Sequence, residues 1–338
     1  MAIYKYLIFT VVLFATQSVF SIKVSSQDYY ITYKNGLKIH LKEKKVANAK
    51  QSKVIVLINP LSIPSLEAFD VPGYSVMDTL AKSGFDVWGI DFIGQGKSSY
   101  PPEMLTNPAP TGLIILQAKD TVPQLNKAIN YIVQKTGNKS VAMLGWSWGS
   151  VVAAMYAINH PKQVDHLVLY GAMYSFALSE SAQKLFIKPY EAIDHHTFST
   201  TLPAYQNISW KIIENHWKMM INNNNSIATQ DAFTAVGNTY CKIDSHPFIK
   251  NTVRRPIGPM KDLYSIWNNQ PIYDTNKLTV PTMVIYGDQD IFADPNLYSK
   301  LANVKIKQEV KLKEATHWLI YEKSRSQFND MVIKFLNK

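Results

Sequence analysis

The stretch VAMLGWSWGSVVAAMYAIN (141–159) constrains the fold more than any other part of the chain. A buried-type apolar run ends at Leu144, and helical apolar spacing starts at Trp148. The few residues between them must turn a strand into a helix. Gly145, Ser147 and Gly149 satisfy G-x-S-x-G in the strand-to-helix setting that this motif requires. So sharp a turn strains the serine backbone, leaves no space for a side chain at either glycine, and lifts the hydroxyl above the sheet edge. Trp146 and Trp148 are then expected to pack to the sides, at the pocket wall or the sheet–helix junction, without burying the hydroxyl.

The rest of the chain supplies the sheet that such a turn needs. DYYITYKNGLKIHLKEKK alternates about Asn35-Gly36, a strong hairpin signal. KVIVLINP (53–60), FDVWGID (85–91), KSVAML (139–144), VDHLVLY (164–170), PTMVIYG (281–287) and VKIKQEVKL (304–312) read as strands. Helical stretches lie near Tyr74–Ser83 and over Thr121–Lys135, the latter stopped at Gly137. Strands alternating with helices imply an α/β fold with a mostly parallel central sheet flanked by helices. Residues 174–275 break the rhythm and read as a largely helical cap insertion over the C-terminal edge of the sheet. The expected organisation is a leader over 1–21, core over 22–173, cap over 174–275 and core again over 276–338.

A serine hydroxyl is a poor nucleophile at neutral pH and needs a histidine base oriented by a carboxylate. YGDQDIFADP (286–295) places acids just after a strand, and EATHWLIYE (314–322) places a histidine after the last strand. Both sit at C-terminal strand ends, where open α/β sheets build their sites. The order serine, acid, histidine is the one that goes with a G-x-S-x-G turn.

With these motifs together, the chain resembles the α/β-hydrolase superfamily from about Tyr29 to Lys338, in the esterase and lipase-like manner of serine hydrolases from bacteria. GDQD is similar to the family's Gly-x-x-Asp segment, which implies Asp290 as the catalytic acid, with Asp288 as runner-up. THW implies His317 as the base for Ser147, and DFIGQGKSS (91–99) resembles a segment that is usually structural. The oxyanion donors implied are the N–H of Trp148, next to the nucleophile, and that of Leu61 in the loop after the strand at 54–58. There the family commonly has His-Gly, and this chain has Asn59-Pro60-Leu61-Ser62. Ser62 is a further hydroxyl donor to consider.

Composition narrows the class. The 338 residues are 46% apolar and 18% charged, an ordinary globular balance. MAIYKYLIFTVVLFATQSVFS has an early lysine, a short apolar run, and Val19 and Ser21 placed for signal-peptidase cleavage; it reads as a secretory leader, so a secreted or periplasmic protein is expected. Cys241 is the only cysteine, so no intramolecular disulfide forms. The net charge of +10 is compatible with peripheral contact with an anionic membrane. No basic stripe interleaved with aromatics suggests nucleic acid. No metal-ligand motif is present, and the chemistry calls for no cofactor.

The expected activity is hydrolysis of a carboxylic ester, with an apolar acyl part or a lipid-like one, through an acyl-enzyme. SWGS is also similar to the nucleophile region of proline iminopeptidases; an aminopeptidase would need cap acids such as Glu191, Asp194 or Glu214 to hold a substrate ammonium. The third reading is a catalytically silent binding protein on the same scaffold.

Overall fold

The computed structural model of the chain describes residues 23–47, 52–222 and 224–338. The leader expected over 1–21 lies outside the described residues. β1 (Val24–Thr32) and β2 (Lys38–Val46) pair antiparallel across a turn in which Asn35 and Gly36 have φ of 55° and 77°. Positive φ at both positions matches the right-handed twist of the flanking strands, which is why Asn-Gly suits this turn.

The core then alternates: β3 (Val54–Ile58), α1 (Val76–Lys82), β4 (Asp86–Asp91), α2 (Ala118–Thr136), β5 (Val141–Trp146), α3 (Trp148–Asn159) and β6 (Val164–Tyr170). Between β6 and the return to the sheet lie α4 (Glu180–Phe186), β7 (Tyr205–Ser209), α5 (Trp210–Met220), α6 (Gln230–Tyr240), β8 (Thr252–Pro256) and α7 (Gly258–Trp267). The chain closes with β9 (Thr282–Gly287), α8 (Leu297–Lys300), β10 (Lys307–Leu312) and α9 (Arg325–Leu336). The insertion is not only helical: β7 and β8 form a two-stranded antiparallel sheet of their own. Among the described residues, no helix is long and apolar enough to cross a membrane.

The main sheet runs β1-β2-β4-β3-β5-β6-β9-β10, parallel from β4 onward. β3, β4, β5 and β9 are buried along their whole length, as parallel strands covered on both faces must be. The outer strands β1 and β10 carry polar and charged residues that discourage further pairing at the edges. β4 and β5 lie on opposite sides of β3, so the strand order reverses there. That reversal opens a crevice at the C-terminal ends of β3 and β5, where Leu61 and Ser147 follow their strands. One apolar cluster joins the sheet to the cap through Phe186, Trp217 and Trp267.

Candidate active site

β5 runs two residues further than the apolar pattern suggests and delivers Ser147 at φ 60°, ψ −126°. A non-glycine residue in that region is strained by about 1–3 kcal/mol, which the surroundings must hold in place. The Ser147 N–H is fixed on the Tyr170 carbonyl at 2.8 Å. A Cβ on Gly145 would lie 2.4 Å from the Gly149 carbonyl oxygen, and one on Gly149 would lie 2.3 Å from that of Ile58. Both glycines are therefore demanded by backbone contact, as the motif implies. Trp146 and Trp148 are fully buried at the sheet–helix junction and neither lines the cavity. Trp146 stacks on Tyr170 at 5.1 Å, and Trp148 Nε1 donates to Asp262 Oδ2 at 2.9 Å.

The loop after β9 settles which acid meets the histidine. Asp290 Oδ2 lies 2.8 Å from His317 Nδ1, and Asp290 Oδ1 accepts from the N–H groups of Phe292 (2.9 Å) and Ala293 (3.2 Å). Asp288 accepts instead from the Ala315 N–H at 3.3 Å, and so ties down the histidine loop. Asp294 holds the Ser175 N–H and the Lys300 ammonium. His317 is 2% exposed, with Phe292 edge-on at 5.3 Å and Trp146 at 5.9 Å. Tyr170 Oη donates to the His317 carbonyl at 2.7 Å.

Several supporting groups escaped the sequence reading. Glu322, at the end of EATHWLIYE, accepts from the Thr316 N–H and from Trp217 Nε1, each at 2.8 Å. Burial pushes its carboxyl up to about 7. Gly171, just past β6, has φ 52° and faces the imidazole; a Cβ there would sit 2.9 Å from His317 Nδ1.

Ser147 and His317 line one cavity of about 280 Å³ together with Leu61, Ser62 and cap residues. The Ser147 hydroxyl points to Met173 Sδ at 3.9 Å. Among the described residues, the N–H groups of Leu61 and Trp148 have no partner, and the Ser62 hydroxyl is buried without one. Asn59 Nδ2 donates to Gln95 Oε1 at 3.0 Å, so the DFIGQGKSS turn braces the loop after β3. Of the cap aromatics, Tyr190 and Trp267 line the cavity; Phe198 is buried against Tyr190 and Tyr264 within the cap, and Trp217 is buried at the junction with the sheet, against Trp318 and Tyr321. His216 and Arg255 also line it; burial and the Arg255 charge push the His216 imidazole down to about 4. His195 and His196 are exposed and away from it. Among the described residues, no group of three or more His, Cys, Asp or Glu side chains could hold a metal ion.

A family model described as the alpha/beta hydrolase fold matches residues 67–195, which include the strained serine turn. The chain has the α/β-hydrolase fold. Over 224 residues the chain is 21% identical to epoxide hydrolase 3 of Xenopus tropicalis, a match covering 61% of the chain and 55% of that protein. The chain thus spans about half the length of that curated relative. In structure it is similar to the 2-hydroxy-6-oxo-6-phenylhexa-2,4-dienoate hydrolase of Rhodococcus sp. strain RHA1. The TM-score is 0.63 at 16% identity, covering 94% of this chain and 100% of that one. It is also similar to an esterase of Exiguobacterium antarcticum, with a TM-score of 0.61 at 15% identity, covering 91% and 99%.

Proposed function

We propose that this α/β-hydrolase cleaves carboxylic esters through an acyl-enzyme on Ser147. The observation that carries the reading is the buried Asp290–His317 pair opening onto the same cavity as a serine held in a strained turn. Asp290 occupies Nδ1 of the imidazole, which leaves Nε2 to take the serine proton. Oγ turns from Met173 toward the imidazole and attacks the acyl carbon, and the proton moves to Nε2. The ionised Asp290 stabilises the imidazolium and holds its orientation. Negative charge then develops on the carbonyl oxygen, where the free N–H groups of Leu61 and Trp148 stabilise it; losing one such donor typically costs about 3 kcal/mol of barrier. The imidazolium protonates the departing alkoxide. Water, deprotonated by His317, then releases the acid and restores Ser147.

The nucleophile's chemistry separates this reading from epoxide opening. An alkoxide that opened an epoxide would leave a β-hydroxy ether on Ser147. Water does not cleave such an ether as it cleaves an acyl-serine ester, so turnover fits an acyl substrate. The cavity also weighs against an aminopeptidase. Glu191, Asp194 and Glu214 do not line it, and its one permanently charged lining side chain is Arg255, the wrong sign for an ammonium. At about 280 Å³ it stands near the lower end of ligand pockets, about 300–1,000 Å³. That size suits a short or medium acyl group better than a long lipid chain enclosed whole.

A fluorophosphonate probe should label wild-type protein and leave Ser147→Ala unlabelled. 4-Nitrophenyl esters of two to eight carbons should be hydrolysed, and proline 4-nitroanilide should not. Absence of labelling in folded wild-type protein would favour a catalytically silent binder.

A further inference from the structure

The cap side of the cavity holds an unmatched charge. Arg255, on β8, lines the cavity beside apolar walls that include Ile208, Met260 and Leu263. Its Nε is buried with no hydrogen-bond partner, and among the described residues no ion pair engages its guanidinium. The neighbouring Arg254 has the same side chain and the opposite situation: its Nε and Nη2 bind Asp244 at 2.7 and 2.8 Å. Arg255 is half-buried, with Nε shielded from solvent, and an arginine with a shielded, unpaired N–H is ordinarily matched by a carboxylate or phosphate. Here nothing within the described chain supplies that partner.

The surroundings favour an anion from outside. Gln206 lies directly across the β7–β8 ladder from Arg255, and both line the cavity. Gln206 Oε1 accepts from Tyr190 Oη at 3.2 Å, so its NH2 group remains a donor. Next to them His216 stays neutral at physiological pH, held so by its burial and, in second place, by the Arg255 charge. An arginine fork, an amide donor and a neutral ring on an apolar wall make a receptor for oxygen anions.

We infer that Arg255, assisted by the Gln206 amide, anchors a carboxylate or phosphate group at the end of the substrate remote from Ser147. The natural ester is then amphiphilic: a short apolar body with an anionic end. This inference rests on the ester-hydrolase reading for the identity of the reacting bond, but not for the anchor itself.

Calorimetric titration tests the anchor without catalysis. The probes are hexanoate, hexyl phosphate and hexan-1-ol, which share a chain and differ at the head. Wild-type protein should bind at least one anion about 10- to 100-fold more tightly than the alcohol, the range of hydrogen bonds to a charged group. The tighter of the two anions identifies the head group. Arg255→Gln should close the gap, and Arg255→Lys should retain part of it, with intrinsic tryptophan fluorescence confirming that both variants fold. Equal binding of the three probes, no anion binding by wild type, or an anion preference that survives in Arg255→Gln would overturn the anchor. Because no turnover is measured, the Ser147 labelling experiment fails or succeeds independently.

Discussion

Replacing Gly171 by alanine should disable the site without touching any of its reacting atoms. The new Cβ would stand 2.9 Å from both Cε1 and Nδ1 of His317 and 3.1 Å from Asp290 Oδ2, whereas ordinary contact begins near 3.4 Å. The imidazole must therefore retreat by about 0.5 Å, the tolerance within which a catalytic group has to be held. It has little room, because Phe292 and Trp146 pack against it and Asp290 is pinned by two backbone N–H groups. A displacement approaching 1 Å costs about a hundredfold in rate, so a 10- to 100-fold loss in kcat on a 4-nitrophenyl ester is expected. The backbone adds its own cost, because φ 52° is left-handed and alanine pays about 1–2 kcal/mol there. Gly137→Ala separates the two effects. Its φ is 73°, but nothing lies within 4 Å of the added Cβ, so it should lose about the same stability and keep its kcat. Urea unfolding and steady-state kinetics on both variants decide the matter. If Gly171→Ala loses no more kcat than Gly137→Ala under conditions where both are folded, the contact with His317 does not hold the base in place.

Two further substitutions test the site and the core. Asp290→Asn should reduce kcat/KM by about 10³–10⁴-fold at neutral pH, since an amide cannot hold the Nδ1–H tautomer or stabilise the imidazolium; a loss below tenfold would remove Asp290 from its role. Asp86 at the start of β4 is buried beside Glu43, and burial with that neighbouring charge pushes its carboxyl up to about 7. The folded protein then holds a proton between about pH 4 and 7 that the unfolded chain releases, so this group lowers stability as pH rises through that window. Asp86→Asn should therefore match wild type in urea unfolding at pH 4 and exceed it at pH 8 by about 1–2 kcal/mol after allowance for solvent screening. An equal difference at the two pH values would contradict the assignment.

What the sequence made legible was whatever depends on contacts close in sequence or on a strict local pattern. The branched apolar runs locate β3 and β9 because a doubly covered strand has no polar face to interrupt it. The serine turn was readable because Gly145 and Gly149 answer to backbone atoms within a few residues or on the adjacent strand. Gly171 was not, since its reason lies in an imidazole at the far end of the chain. β7 and β8 were missed for a related cause: YQNIS and TVRRP are short, mixed in polarity and far apart in sequence, so only their pairing makes them strands. Nothing near Trp217 in the sequence points to its partners, which come from the far end of the chain: its indole donates to Glu322 and stacks on Trp318. Arg255 and Arg254 look alike in the sequence; only the position of Asp244 distinguishes them.

Asn59-Pro60 stands where the resemblance leads one to expect His-Gly, and the loop that holds it is braced from outside. The conformation of the loop after β3 is not left to its own sequence. Asp91, at the end of β4, accepts from Ser65 Oγ at 2.8 Å and from the Leu66 N–H at 2.7 Å, which fixes the downstream end. Asp91 also accepts from the Lys97 N–H at 2.9 Å and lies 2.7 Å from His40 Nδ1. Four groups thus converge on one carboxylate that no solvent reaches. Gln95, from the same turn, holds the upstream end through Asn59 Nδ2. With both ends braced by β4 and its turn, the residues between need only leave a free donor facing the cavity. Pro60 has no N–H to offer, and among the described residues the Leu61 N–H is unclaimed, beside the unclaimed hydroxyl of Ser62; these are the donors that the proposed acyl transfer would use. The segment DFIGQGKSS and the loop after β3 are in this sense one device: the first supplies, through Asp91 and Gln95, the rigidity that the second lacks in its own sequence.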